Sequence, residues 1–130
     1  MSHFTSIKLE IRDRGALVAA LKDLDIGEVE AFDRPQAIHG FGQRTRKVDI
    51  AVRGAGYYGT DIGFRRTADG RYEAVLDHDD QRQLGDDWRQ RLLQRYGRHV
   101  AVARLANKGF RVVREEVRNG KLHLLAGRVR

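Results

Sequence analysis

Between Arg46 and Asp77 the chain reads RKVDIAV, RGAGYYG, TDIGF, RRTADGR and YEAVLD in succession. Three short apolar runs are separated by two turn regions, the first rich in glycine. A connection this short reverses a strand but cannot make the crossover that parallel strands require. The middle of the chain therefore folds as an antiparallel sheet. In RKVDIAV the alternation turns Val48, Ile50 and Val52 inward. In GTDIGFRR it sends Asp61, Gly63 and Arg65 to one side and Ile62, Phe64 and Arg66 to the other. Asp69-Gly70 is a strong hairpin signal, with YEAVLD as the returning strand.

The flanks complete the pattern. FTSIKLEI alternates, with Thr5, Ile7, Leu9 and Ile11 on one face, and reads as a half-buried strand. Asp13 suits the N-cap of RGALVAALKDL, whose Leu17, Ala20, Leu21 and Leu24 form a helical stripe ended by Ile26-Gly27. EVEAF reads as a short strand, and DRPQAIHGFGQ, with the only proline, as a loop. HDDQRQLGDD is polar and turn-like. Asp86 or Asp87 caps a long helix from Trp88 to about Asn107, with Gly109 placed to stop it. FRVVREEV, Asn119-Gly120 and KLHLLAGRV form a closing hairpin. FRVVREEV does not keep one phase, which calls for a bulge or an edge. The order β-α-(β)-β-β-β-α-β-β predicts one α+β domain over residues 1–130. It is a two-layer sandwich, largely antiparallel, with two helices on one face of the sheet.

Composition narrows the chemistry. The chain has no cysteine, which removes disulfides, thiolate zinc sites and a cysteine nucleophile. No apolar run approaches the length of about 18 residues that spans a bilayer. The first residues lack a basic region followed by an apolar one, so a cytoplasmic location is the expectation. Net charge is +7, with 20 Arg against 5 Lys. That excess fits either Arg-rich codon usage or recognition of carboxylates and phosphates.

Motifs that carry chemistry are few. Gly54 to Gly59, GAGYYG, matches G-x-G-x-x-G, but a dinucleotide fingerprint must open a helix, and here TDIGF follows. The match reads as a hairpin loop, whose Tyr57 and Tyr58 are exposed contact residues. The five histidines (His3, His39, His78, His99, His123) show no zinc-helix spacing. Asp77 to Asp80, DHDD, lacks the calcium-loop pattern and reads as an exposed acidic loop. Ser2 and Ser6 are the only serines, and no nucleophilic triad can be assembled around them. Glu115 and Glu116 point to opposite strand faces. No cofactor and no metal is called for. His99 falls within the stripe of Leu84, Trp88, Leu92, Tyr96 and Ala103. It is expected to be a buried histidine bonded to a neighbour, with a base in a pocket as the alternative.

At MSHFTSIKLEIRD, TRKVDIAVRG, TDIGFRRTADGRYE and RYGRHV…KGFRVVREEV, the chain resembles a domain-of-unknown-function family nearly end to end. That family includes hypothetical chloroplast open reading frame thirty-five and its bacterial relatives. The resemblance implies a small soluble protein with no assigned activity. Bacterial relatives are often encoded beside AAA+ ATPases of the MoxR type or similar, so it also implies a protein partner in an ATPase-linked system. The tryptophan-bearing loop expected of plastid members appears here as DHDDQRQLGDDW.

Three functional readings follow. In the first, the protein is a non-enzymatic adaptor or regulatory subunit for a protein partner, which the resemblance implies to be an AAA+ ATPase or an associated small protein. Its docking surface, for that partner or for a second copy, is an open sheet face. With the helices over Ile62 and Phe64, the residues Asp61, Gly63 and Arg65 face outward, beside Lys47, Asp49 and Arg53, and Tyr57 and Tyr58 lie in the adjoining loop. Glycine in a strand marks a place where something approaches closely. In the second, Arg91, Arg95 and Arg98, on one side of the long helix, bind nucleic acid. In the third, an enzyme of unknown reaction uses His99 or the Asp/His loop.

Overall fold

The computed structural model describes residues 3–129. Met1 and Ser2, which open the N-terminal motif, and Arg130 lie outside them. In chain order the elements are β1 (Phe4–Lys8), α1 (Arg14–Leu24), β2 (Glu28–His39), β3 (Thr45–Arg53), β4 (Ile62–Arg66), β5 (Tyr72–Asp77), α2 (His78–Leu84), α3 (Asp87–Asn107), β6 (Phe110–Arg118) and β7 (Lys121–Arg128). The fold is α+β. Five strands pair antiparallel in the order β1-β5-β4-β3-β2. β6 and β7 form a separate two-stranded sheet packed beside α3.

Register rows explain the two faces of the large sheet. Ile50, Phe64 and Ala74 stand opposite one another across β3, β4 and β5. They meet Leu17, Leu21, Trp88 and Leu92 in the main core, under α1 and α3. Asp13 starts α1 as its composition requires, its Oδ1 accepting from the Ala16 N–H at 2.9 Å. Tyr96 of α3 ties the two helices together, its hydroxyl accepting from the Arg12 and Asp13 N–H groups at 3.2 and 3.0 Å.

The next row, Ala51, Gly63 and Val75, belongs to the other face, and this face is not open. β2 is not a short strand followed by a loop. It runs twelve residues, through Pro35, with a register shift between Ala31 and Gln36. Proline is tolerated because β2 is the edge strand, where an N–H donor is dispensable. The irregularity carries Asp49 out of phase, so Ile50 and Val52 stay in the main core while Val48 turns to the second face. There Val48 and Ile38 pack over Ala51 and Val75, with Phe4 and Phe32 alongside. The end of β2 is pinned to the start of β4 by the Asp61 N–H donating to the His39 carbonyl at 3.1 Å.

Two further expectations change. HDDQRQL is a helix, capped by Asp77, whose carboxylate accepts from the Asp79 N–H at 3.0 Å. Asp80, within DHDD, is fully buried. The out-of-phase stretch in β6 is a bulge between Val112 and Arg114. Asn119 and Gly120 both take positive φ, 50° and 76°, the backbone a two-residue hairpin turn needs. Among the described residues no helix is long and apolar enough to cross a membrane.

Candidate functional site

The residues expected to form an outward working face divide into three groups. The first is structural. Gly63 sits beneath Val48 and Ile38, and a Cβ at Gly63 would lie 2.5 Å from Val48 Cγ1 and 2.9 Å from Ile38 Cδ1. The close approach that a strand glycine signals is made by the chain's own β2–β3 hairpin. Arg65 donates to Glu73 through Nε at 3.0 Å and Nη2 at 2.5 Å, and Glu73 is buried. A buried carboxylate needs that cation, so Arg65 serves the fold. Asp49 of β3 accepts from the Arg66 N–H of β4 at 2.8 Å.

The second group is Asp61, which is 8 % exposed rather than outward-facing. Its Oδ2 accepts from the His39 N–H and from Arg53 Nη1, both at 3.0 Å, and its Oδ1 accepts from the Gly54 N–H at 3.1 Å. Burial disfavours its charge, but these donors outweigh that and hold the carboxyl below the usual aspartate range. Asp61 thus anchors both the end of β2 and the start of the glycine-rich loop.

The third group is exposed. Tyr57 and Tyr58 are 58 % and 51 % accessible. Their rings meet edge to face at 4.9 Å, and Phe41, from the β2–β3 turn, meets Tyr58 at 5.3 Å. The backbone beneath them is held by buried carboxylates. Asp80 accepts from the Tyr58 N–H at 2.8 Å and from the Thr60 hydroxyl. Asp77 accepts from the Phe41 N–H at 3.3 Å. Phe41, Tyr58 and the α2 residues Asp79, Arg82 and Gln83 line a cleft of about 340 Å³. The result is an aromatic platform of three rings on a fixed backbone. Lys47 is exposed on the β2–β3 hairpin.

Sequence reasoning found the two tyrosines but missed Phe41 and Asp80. Phe41 lies some sixteen residues away in a segment read as loop. Asp80 lies in a polar run whose composition signals exposure.

The alternative sites resolve differently. His99 is not in the main core. It lies at the α1–α3 contact, where Nε2 is 2.6 Å from Asp23 Oδ2. Arg95 donates to the same oxygen at 3.1 Å. Burial works against the Asp23 charge, and the hydrogen bonds from His99 and Arg95 overcome it, so the Asp23 carboxyl is lowered. Arg98 bonds Glu115 of β6 at 2.8 Å through Nε, and Arg91 pairs with Asp87 at 3.6 Å. The basic side of α3 is therefore engaged with α1, with β6 and with its own first turn. Among the described residues no group of three or more His, Cys, Asp or Glu is placed to hold a metal ion.

A family model described as a protein of unknown function (DUF1257) matches residues 20–125, and the chain belongs to that family. No curated protein and no solved structure matches it.

Proposed function

We propose that this member of the DUF1257 family is a non-enzymatic adaptor or regulatory subunit, and that it engages a protein partner through Phe41, Tyr57 and Tyr58. The observation that carries this reading is the exposure of two adjacent tyrosines on a backbone fixed by Asp61, Asp77 and Asp80. Tyrosine is enriched among the residues that dominate binding energy at interfaces. Holding the rings in place beforehand lowers the ordering cost of association. The interior polar groups are already matched: among the described residues every buried side-chain nitrogen and oxygen has a partner. The platform is an exposed aromatic surface outside that matched interior.

The partner class implied by the family resemblance, an AAA+ ATPase or a small protein associated with one, is the first to test. Tagged protein is purified from its native cell at two salt concentrations after nuclease treatment, and the eluate is identified by mass spectrometry. A stoichiometric protein retained in all conditions is the expected result. Recovery of nucleic acid alone, lost at the higher salt, would contradict the reading and favour charge-driven binding.

A further inference from the structure

A second exposed apolar surface lies between α3 and the C-terminal hairpin. Leu93, Gly97 and Ala101 follow at spacings of four on α3, and Leu122 and Leu124 of β7 stand across from them, enclosing a groove of about 450 Å³. Val117, directly opposite Leu122 in the hairpin register, extends the apolar lip. Leu93 and Val117 are 39 % and 60 % exposed. A lone two-stranded hairpin is marginally stable in water and relies on what packs against its apolar face. Here that face is only partly covered.

Gly97 sharpens the point. Inside a helix, glycine is less favourable than alanine. A Cβ at Gly97 meets nothing within 4 Å. No neighbour in the chain accounts for the glycine, whereas close approach by an external group to the α3 backbone would.

Charge selects the occupant. Residues 108–129 hold six lysines and arginines against two glutamates. Both glutamates are engaged, Glu115 with Arg98 at 2.6 Å and Glu116 with Arg118. A second copy would set this basic hairpin against another of the same sign. Nucleic acid would find no aromatic side chain in the groove on which to stack bases.

We infer that the α3–β7 groove binds an amphipathic segment of a partner protein, with apolar residues seated along Leu93, Gly97 and Leu122 and flanking Asp or Glu residues near Lys121. This surface shares no residue with the aromatic platform, so it stands or falls separately. Two docking surfaces on one small domain allow it to bridge two protein segments.

The test uses the full chain in its native cell, with a photo-crosslinking residue at position 93 and, as control, at exposed Val113. Crosslinks from position 93 are expected to map to one protein segment in which Asp or Glu flanks apolar residues. The Tyr57→Ala/Tyr58→Ala variant is expected to retain them. A synthetic peptide of that segment is expected to bind purified Gly97→Ala about tenfold or more weakly than wild type, since the added methyl intrudes on the contact. The Tm of Gly97→Ala is expected to equal or exceed that of the wild type. Crosslinks to another copy or to nucleic acid, none above the Val113 control, equal peptide affinity, or a fall in Tm would each overturn the proposal.

Discussion

Asp61 accepts from three donors, the His39 and Gly54 N–H groups and the Arg53 guanidinium, which it shares with Glu30 and the Ala37 carbonyl. Its folded-state pKa is lowered. Its contribution to stability is therefore fully present above the unfolded value, about 3.9. That contribution is lost as pH falls below that value and through the folded one. Asp61→Asn is expected to cost about 2 kcal/mol near neutrality. The gap between variant and wild type should narrow as pH falls below about 4, in urea titrations run across that range. A gap that stays constant with pH would show that the charge of Asp61 is not what matters. Strand alternation correctly put Asp61 on the side away from Ile62 and Phe64. It carried no information on what covers that side, because the alternation of one strand does not show how the preceding β2–β3 hairpin folds over it. Arg65 illustrates the same limit, since its partner Glu73 becomes visible only once the register of β4 and β5 is known.

Among the elements, those with local signals were legible in the sequence. Asp13 before RGALVAALKDL, Asp69-Gly70 and Asn119-Gly120 each fix a cap or turn through the chemistry of a few adjacent residues. β2 was legible only in its first half, because Pro35 looks like a strand breaker until its edge position is known. α2 was missed because its apolar content is low and its signal rests on one cap, Asp77. Gly63 is the clearest case of a correct cue with a different cause. The prediction that follows concerns packing within the sheet. Gly63→Ala is expected to destabilise the protein by about 1–3 kcal/mol through overpacking against Val48 and Ile38. Val48→Ala in the same chain should recover part of that loss, a coupling readable by a double-mutant cycle on unfolding free energies. Additive effects of the two substitutions would remove Val48 as the obstacle.

Taken as one body, the protein couples a well-packed sheet to two separate exposed surfaces. Part of its excess arginine, which the sequence left divided between composition and function, is engaged in ion pairs within the fold. Arg95 and His99 bind Asp23, Arg98 binds Glu115, and Arg53 binds Glu30 and Asp61. Partner affinity is accordingly expected to change by less than about tenfold between about 50 and about 200 mM salt, against the far steeper loss of phosphate-driven binding. The antiparallel core and helical layer were legible from periodicity and turns. The aromatic platform was not, since it joins Phe41 to Tyr57 and Tyr58 through a hairpin folded back across the sheet. That platform is best tested by calorimetric titration of the co-purified partner into the wild type and into Tyr57→Ala/Tyr58→Ala. The account predicts affinity weakened about thirtyfold or more, as loss of dominant interface residues brings, with an unchanged Tm. Equal affinity for the two proteins would contradict it.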